Sequence, residues 1–389
     1  MPRRGRPREP AVIVGLHRLT VLWTYLALSV WTAFLLVFPA MCLARGLAGA
    51  AILLGLLGLF LDIKALDHLL AWSRGAAPHL RNLVIVYHAG IAVLGLATLL
   101  QPIDPDWTRV PGSEDRSDLM VAYLPSGLVV RSYGGPAELH ADDGAVHPLD
   151  YPGGPSWTLQ SGPDASLWLA PDEDPRLHVR DPAGVWSIVP RPAGRVRTLA
   201  IGRDSAWLVT TDLHRFDRSE NRWTMVTDCE RPTGVALAPD ERELLVVGRH
   251  WCSSADGEYF TDLTPPVEEF NNFPAAAIGG DGWRYVFSGG RWRSTLHVRG
   301  PDDPGFVART PPASDIRVLI ADPVDGRRAH LATWGEGVFT TADGGATWQS
   351  LGLERVQIRS IALDVTRTHL AVGGSNTIFD RGAYFRPLP

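Results

Sequence analysis

The chain has 389 residues, 45% of them hydrophobic and 20% charged. Its charge is divided along its length: residues 1–102 hold nine Lys/Arg against three acids, which leaves 28 basic and 39 acidic residues for 103–389. An apolar, basic front joined to an acidic, Trp-rich back excludes a simple soluble enzyme, and the back lacks the basic footprint that binding nucleic acid requires.

The front reads as a membrane domain over 1–102. Leu19 to Ala44 carries no charge and is long enough to cross a bilayer with some tilt. Further apolar runs cover Gly46 to Leu61 and Leu83 to Leu100. The first run is far longer than the apolar core of a cleaved signal peptide, so three uncleaved spans are expected. Arg3, Arg4, Arg6, Arg8 and Arg18 precede the first span, and Lys64, Arg74 and Arg81 lie between the second and third. Only Arg45 lies between the first two. Basic residues stay on the cytoplasmic side, which places the N-terminus inside and everything after Pro102 outside the cytoplasm of a bacterial cell. Gly46, Ala50, Ala51, Gly55 and Gly58 form a small-residue face on the second span, the pattern that lets helices approach closely in lipid. His88 alone lies well within a span, so no pair of histidines is placed to hold a haem.

After a linker at 103–117, residues 118–389 repeat. Seven units of about forty residues each open with two apolar strands, the length of a propeller blade. First strands read DLMVAYL (118–124), PSWTLQS (155–161), VRTLAIG (196–202), TGVALAP (233–239), FPAAAIG (273–279), IRVLIAD (316–322) and IRSIALD (358–364). Continuous apolar runs suit strands buried between packed sheets, and a closed ring removes exposed sheet edges. The expected fold is therefore three transmembrane helices followed by a seven-bladed β-propeller; soft unit boundaries leave six or eight blades open.

The turn between the third and fourth strands of unit six reads Thr341-Ala342-Asp343-Gly344-Gly345-Ala346-Thr347-Trp348. Here Asp343 can accept backbone N–H groups, Gly345 supplies positive φ, Thr347 completes the pattern and Trp348 packs beneath the hairpin. Weaker copies are read at Asp142-Asp143-Gly144, Asp181, Asp303-Pro304-Gly305 and Asp380-Arg381-Gly382. On these residues the back resembles the Asp-box (BNR) propellers, a group that includes sialidases, the sortilin luminal domain and the Ycf48-type photosystem assembly factors. The resemblance implies a fold far more than an activity. The early F/Y-R-I-P motif of sialidases is missing, and the three front helices depart from the whole group.

No catalytic or cofactor motif is present: there is no P-loop, GxGxxG after a strand, GxSxG or HExxH. Asp172-Glu173-Asp174 lacks the spacing and glycine of a calcium loop. In antiparallel blades the loops between strands two and three share one face of the ring with the loops between blades. On that face the sequence places Tyr133, Arg249, Trp251, Arg291, Trp292, Arg293, Trp334, Phe270 and Phe273, a composition typical of protein-binding surfaces. The function expected is that of a protein-binding accessory or assembly subunit, in contact with the lipid bilayer and an integral membrane complex, photosynthetic or respiratory. The alternative is a cell-surface glycan-binding or glycoside-hydrolysing propeller, which would show paired carboxylates in a central pocket. Cys229 and Cys252, the two cysteines of the back, fall in neighbouring loops of that same face. A disulfide is expected there, with Cα atoms within about 7 Å.

Overall fold

The computed structural model describes residues 106–388 apart from 115, 173, 230, 264–274, 291–292 and 376–381. All belong to the second of the chain's two units, Ile103–Pro389. The spans expected over 1–102, with Gly46, Ala50, Ala51, Gly55 and Gly58, lie outside the described residues. Among the described residues no helix is long and apolar enough to cross a membrane.

Seven four-stranded antiparallel sheets form the ring. Blades one to six follow chain order over 119–148, 159–190, 198–226, 232–262, 275–309 and 316–352. Blade seven takes Ile358–Leu363, His369–Gly374 and Ala383–Pro387, and its fourth strand is Thr108–Arg109 from the other end of the unit. Each first strand touches the first strands of both neighbouring blades, so the first strands are innermost and the circle closes. This settles the count at seven. It also corrects the linker: part of 103–117 is the outer strand that seals the ring.

The core explains why the repeat was readable. It consists of seven apolar clusters, one between each pair of adjacent blades. A second strand such as Leu244–Gly248 or Ala329–Thr333 is buried on both faces and reads as a continuous apolar run. Fourth strands such as Val146–Pro148 and Val307–Arg309 stand at the rim, exposed along their length.

The hairpin at 341–348 divides its work between two side chains. The buried Gly345 N–H donates to the Thr341 hydroxyl at 3.0 Å. Exposed Asp343 accepts the Thr341 hydroxyl at 2.8 Å, the Thr347 N–H at 2.9 Å and the Thr347 hydroxyl at 2.6 Å. Gly344 and Gly345 both adopt positive φ, 71° and 77°, and a side chain on Gly344 would run into the Trp283 ring of blade five. Because Thr341 serves the buried amide, Thr341→Val is expected to cost about 1–3 kcal/mol, and Asp343→Ala less. Chemical denaturation of the two variants checks the order; equal losses would refute it.

Asp343 also makes the hairpin sensitive to acid. The Thr347 hydroxyl, then the Thr347 amide, hold its pKa down at about 2, below the ordinary 3.8, with burial opposing. A carboxylate with a lowered native pKa stabilises the fold above its unfolded value, and that contribution is lost as pH falls through the native one. The stability gap between wild type and Asp343→Asn should therefore be complete above pH 3.8 and close towards pH 2. A gap that stays constant across that window in denaturation titrations would contradict the assignment.

The weaker copies are distributed unevenly. Asp143 accepts the Ala145 N–H at 2.9 Å and Asp181 the Val185 N–H at 2.8 Å, both between third and fourth strands. Asp303 accepts the Gly300 N–H at 2.8 Å in the same place of blade five. The segment 380–382 is not equivalent. It lies between the second and third strands of blade seven, whose fourth strand comes from Thr108–Arg109. A half-match sits in blade four: Ser254-Ala255-Asp256-Gly257 follows Thr341-Ala342-Asp343-Gly344, while Glu258, Phe260 and Thr261 stand where 341–348 has Gly345, Thr347 and Trp348. There the Ser254 hydroxyl donates to Asp256 at 3.0 Å and accepts the Gly257 N–H at 2.8 Å.

Candidate recognition site

Strand polarity in each blade places the loops between strands two and three on one face of the ring, together with the inter-blade loops. On that face five side chains from four blades converge. Tyr133 follows the second strand of blade one and stacks on Trp157, just ahead of the first strand of blade two, with ring centroids 4.0 Å apart. The Arg359 guanidinium, from the first strand of blade seven, lies 4.3 Å from the Trp157 ring centroid and 4.6 Å from that of Trp334. Arg317, from the first strand of blade six, reaches the Trp334 ring at 5.0 Å. Arg359 and Trp157 meet across the whole of blade one, which is feasible only near the axis, where first strands converge.

Carboxylates hold this cluster in place. Asp118 accepts from Arg359 Nε at 3.1 Å and from the Ser375 hydroxyl. Asp315 pairs with Arg317 at 3.0 Å. The Tyr133 hydroxyl donates to Asp172 at 2.8 Å, which gives that residue a role in the cluster. Burial lowers the pKa of Arg359 and the Asp118 charge opposes the shift, so the guanidinium stays charged. The Arg359 Nε also donates to the Ser375 hydroxyl at 3.1 Å, and the rings of Trp157 and Trp334 lie against the guanidinium. The arrangement is an aromatic and cationic cluster whose side chains are held by one another and by the carboxylates.

Of the residues expected on this face, Tyr133 and Trp334 belong to the cluster. Arg249 is exposed at its loop. Trp251 is buried at 3%, edge-on to His297 at 5.0 Å and Phe306 at 5.3 Å; it fills the core between blades four and five and offers no surface to a partner. Arg293 opens the third strand of blade five. Arg291, Trp292, Phe270 and Phe273 lie outside the described residues. Arg317 and Arg359 escape a reading confined to loops; their signal is in the strand starts, since Ile316-Arg317 and Ile358-Arg359 open two successive blades identically. Trp157, in a segment that reads as a first strand over 155–161, stands just ahead of that strand, in the connection between blades one and two.

Cys229 and Cys252 are joined, with Cα atoms 6.3 Å apart. Cys252 opens the third strand of blade four, one residue beyond the loop where it was expected. Both cysteines are buried in the core between blades three and four. Among the described residues no group of His, Cys, Asp and Glu is placed to hold a metal ion.

No protein-family model and no curated protein matches the chain. Solved structures do. Virginiamycin B lyase from Staphylococcus aureus superposes with a TM-score of 0.57 at 10% identity, covering 72% of this chain and 98% of the lyase. YCF48 bound to a D1 peptide gives 0.53 at 15%, covering 74% and 98%. A chain of the mitotic checkpoint complex gives 0.57 at 13%, covering 74% and 97%. The group mixes an enzyme with proteins seen in complexes, and at such identities the likeness establishes one thing about this chain: it is a seven-bladed β-propeller.

Proposed function

We propose that this chain is a membrane-anchored, extracytoplasmic propeller that binds protein, acting as an accessory or assembly subunit of a larger membrane complex. The observation that carries the reading is the cluster of Tyr133, Trp157, Trp334, Arg317 and Arg359 on the axis of one face. Aromatic rings and arginines held rigid by neighbours are the composition of interface hot spots. The carboxylates there are engaged: Asp118 by Arg359, Asp315 by Arg317 and Asp172 by Tyr133. A glycosidase needs a general acid and a nucleophile or base free to act on the sugar, so this engagement favours binding over hydrolysis. Structural neighbours captured with a peptide or in a complex fit the same reading, and the 341–348 hairpin supports an Asp-box type of ring.

The experiment is purification of the full chain in mild detergent, with identification of co-purifying proteins. Trp157→Ala and Trp334→Ala should each weaken retention of the partner by an order of magnitude or more, since hot-spot truncations cost about 2 kcal/mol or above. Unchanged retention by the double variant, at unchanged melting temperature, would refute the site.

Anchoring and orientation rest on the sequence: three apolar runs, and eight basic residues against one on the inner side. Reporter fusions after Gln101 test them. A reporter active only in the cytoplasm, working at that junction, would overturn the topology.

A further inference from the structure

On the side of the ring away from the axial cluster, the seam between blades six and seven ends in a cavity of about 310 Å³. Blade six supplies Asp322, Arg328, His330 and Thr340, blade seven supplies Arg367 and Leu388, and the 341–348 hairpin forms one wall. His330 lies within the second strand of blade six, which is buried along its whole length. Its strand neighbours Ala329 and Leu331 pack between blades five and six, so the imidazole turns the other way, towards blade seven, on the face of its register partners Ile320 and Thr340. The residue is 4% exposed, and its Nδ1 has no hydrogen-bond partner among the described residues. Burial above all holds its pKa down at about 4; Asp322 opposes the shift and Arg328 adds to it, so the ring is neutral. A buried polar side chain without a partner costs free energy that an apolar one would not, and in the wall of a cavity it marks a place for a ligand.

The charges around the cavity indicate what kind. Arg367 lies 3.5 Å from Asp322, and Arg328 lies 3.5 Å from Asp325, which exposed Arg327 shares at 3.4 Å. Both guanidiniums that line the cavity thus have a carboxylate partner, and no unpaired charge is offered to an ion. Asp322 is fixed by the Val324 and Asp325 N–H groups, at 2.8 and 3.0 Å. The Arg367–Asp322 pair is loose beside Arg116–Glu138 or Arg284–Glu243, both at 2.6 Å, and a guanidinium has five donors to share. The Thr340 hydroxyl is held only by the Ala329 carbonyl at 3.4 Å.

We propose that this cavity binds a neutral, hydroxyl-rich ligand of monosaccharide size, whose hydroxyls bond His330, Thr340 and the Arg367–Asp322 pair while Leu388 meets its C–H surface. A hydroxyl both donates and accepts, so it suits a neutral imidazole in either tautomer and a carboxylate beside a guanidinium. The volume stands at the small end of ligand sites, which limits the occupant to about one sugar ring. The site lies on the other side of the ring from the axial cluster and does not depend on the function proposed for that cluster.

The test uses the full chain in lauryldimethylamine oxide, a detergent with no sugar headgroup. Saturation-transfer NMR is recorded with methyl glucoside, methyl galactoside, methyl mannoside and N-acetylglucosamine, and phosphorus NMR with inorganic phosphate. Saturable transfer to at least one sugar is expected. His330→Phe, which fills the space of the imidazole without its nitrogens, should weaken that binding tenfold or more, and so should Thr340→Val. The second variant keeps the shape of the side chain and decides the matter should the first not fold. Transfer to none of the sugars overturns the proposal and leaves a cavity that holds water. Transfer unchanged in the folded variants places the sugar elsewhere and overturns the site. Phosphate signals broadened by wild type and not by Arg367→Met would show an anion site and overturn the ligand class.

Discussion

Trp107→Ala is expected to destabilise the propeller by about 3–5 kcal/mol, the range for emptying a buried aromatic site. Trp107 is buried at 6% in the cluster between blades six and seven. Its indole N–H donates to the Leu351 carbonyl of blade six at 2.6 Å, and the Arg386 guanidinium lies 5.6 Å from its ring centroid. Thr108–Arg109, which follows, contributes only two residues to the seal of blade seven. Such a short strand has little pairing of its own to hold it. The ring side chain at 107, with Val110 buried at 2% beyond it, pins the strand in place. Losing the Trp107 side chain removes buried apolar area, leaves the Leu351 carbonyl without this donor and loosens the seal, exposing the edge of Ala383–Pro387. Chemical denaturation measures the effect. A loss below about 1 kcal/mol, the scale of an ordinary surface substitution, would mean that closure does not depend on this residue.

The same seam shows why the sequence could be read so unevenly. Strands one and two of each blade are sandwiched between neighbours, and burial on both faces leaves an uninterrupted apolar signature such as HLAVGG at 369–374. The seal has no comparable signature, because a two-residue strand at the rim, one residue exposed, carries no period. Its pairing partner is more than 270 positions away, beyond any local pattern. Blade count followed from repetition, yet the closing partner followed only from three dimensions. Misplacing 380–382 as a turn between third and fourth strands came from the same cause, since the fourth strand of that blade precedes all the others in sequence.

The proposed recognition cluster was half readable for a different reason. Tyr133 and Trp334 stand in glycine-rich loops, where exposed aromatics attract notice. Arg317 and Arg359 stand on inner strands, in positions that look like ordinary strand residues until the ring brings their ends to one axis. The contacts of Arg359 with Trp157 and Trp334 join residues 202 and 25 positions apart. Trp251 shows the converse error. It stands next to an exposed loop arginine, Arg249, but its ring turns inward to fill a gap against Phe306 of the next blade. Loop position alone does not decide exposure for a side chain that large.

Removing the Cys229–Cys252 bridge is expected to lower stability by about 3 kcal/mol in the chain-entropy description, for a loop closed at a separation of 23 residues. The loop spans the connection from blade three and the first two strands of blade four, including Pro232–Leu237 and Leu244–Gly248. That blade has short outer strands, Cys252–Ser254 and Thr261–Asp262, and so less pairing than its neighbours to hold it. A covalent tie between its third strand and the preceding loop offsets the deficit by restricting the unfolded chain. Both sulfurs are buried with Val235, Leu244 and Val246 in the core between blades three and four, so a reductant should act slowly on the folded ring and readily during unfolding. The measurement is the denaturation midpoint of wild type and of Cys229→Ala/Cys252→Ala, each with and without reductant. The wild-type midpoint should fall in reductant to near that of the double variant, and the double variant should not respond. Equal midpoints for oxidised and reduced wild type would show that the bridge contributes nothing, and would remove one physical reason for assigning this ring to an oxidising compartment.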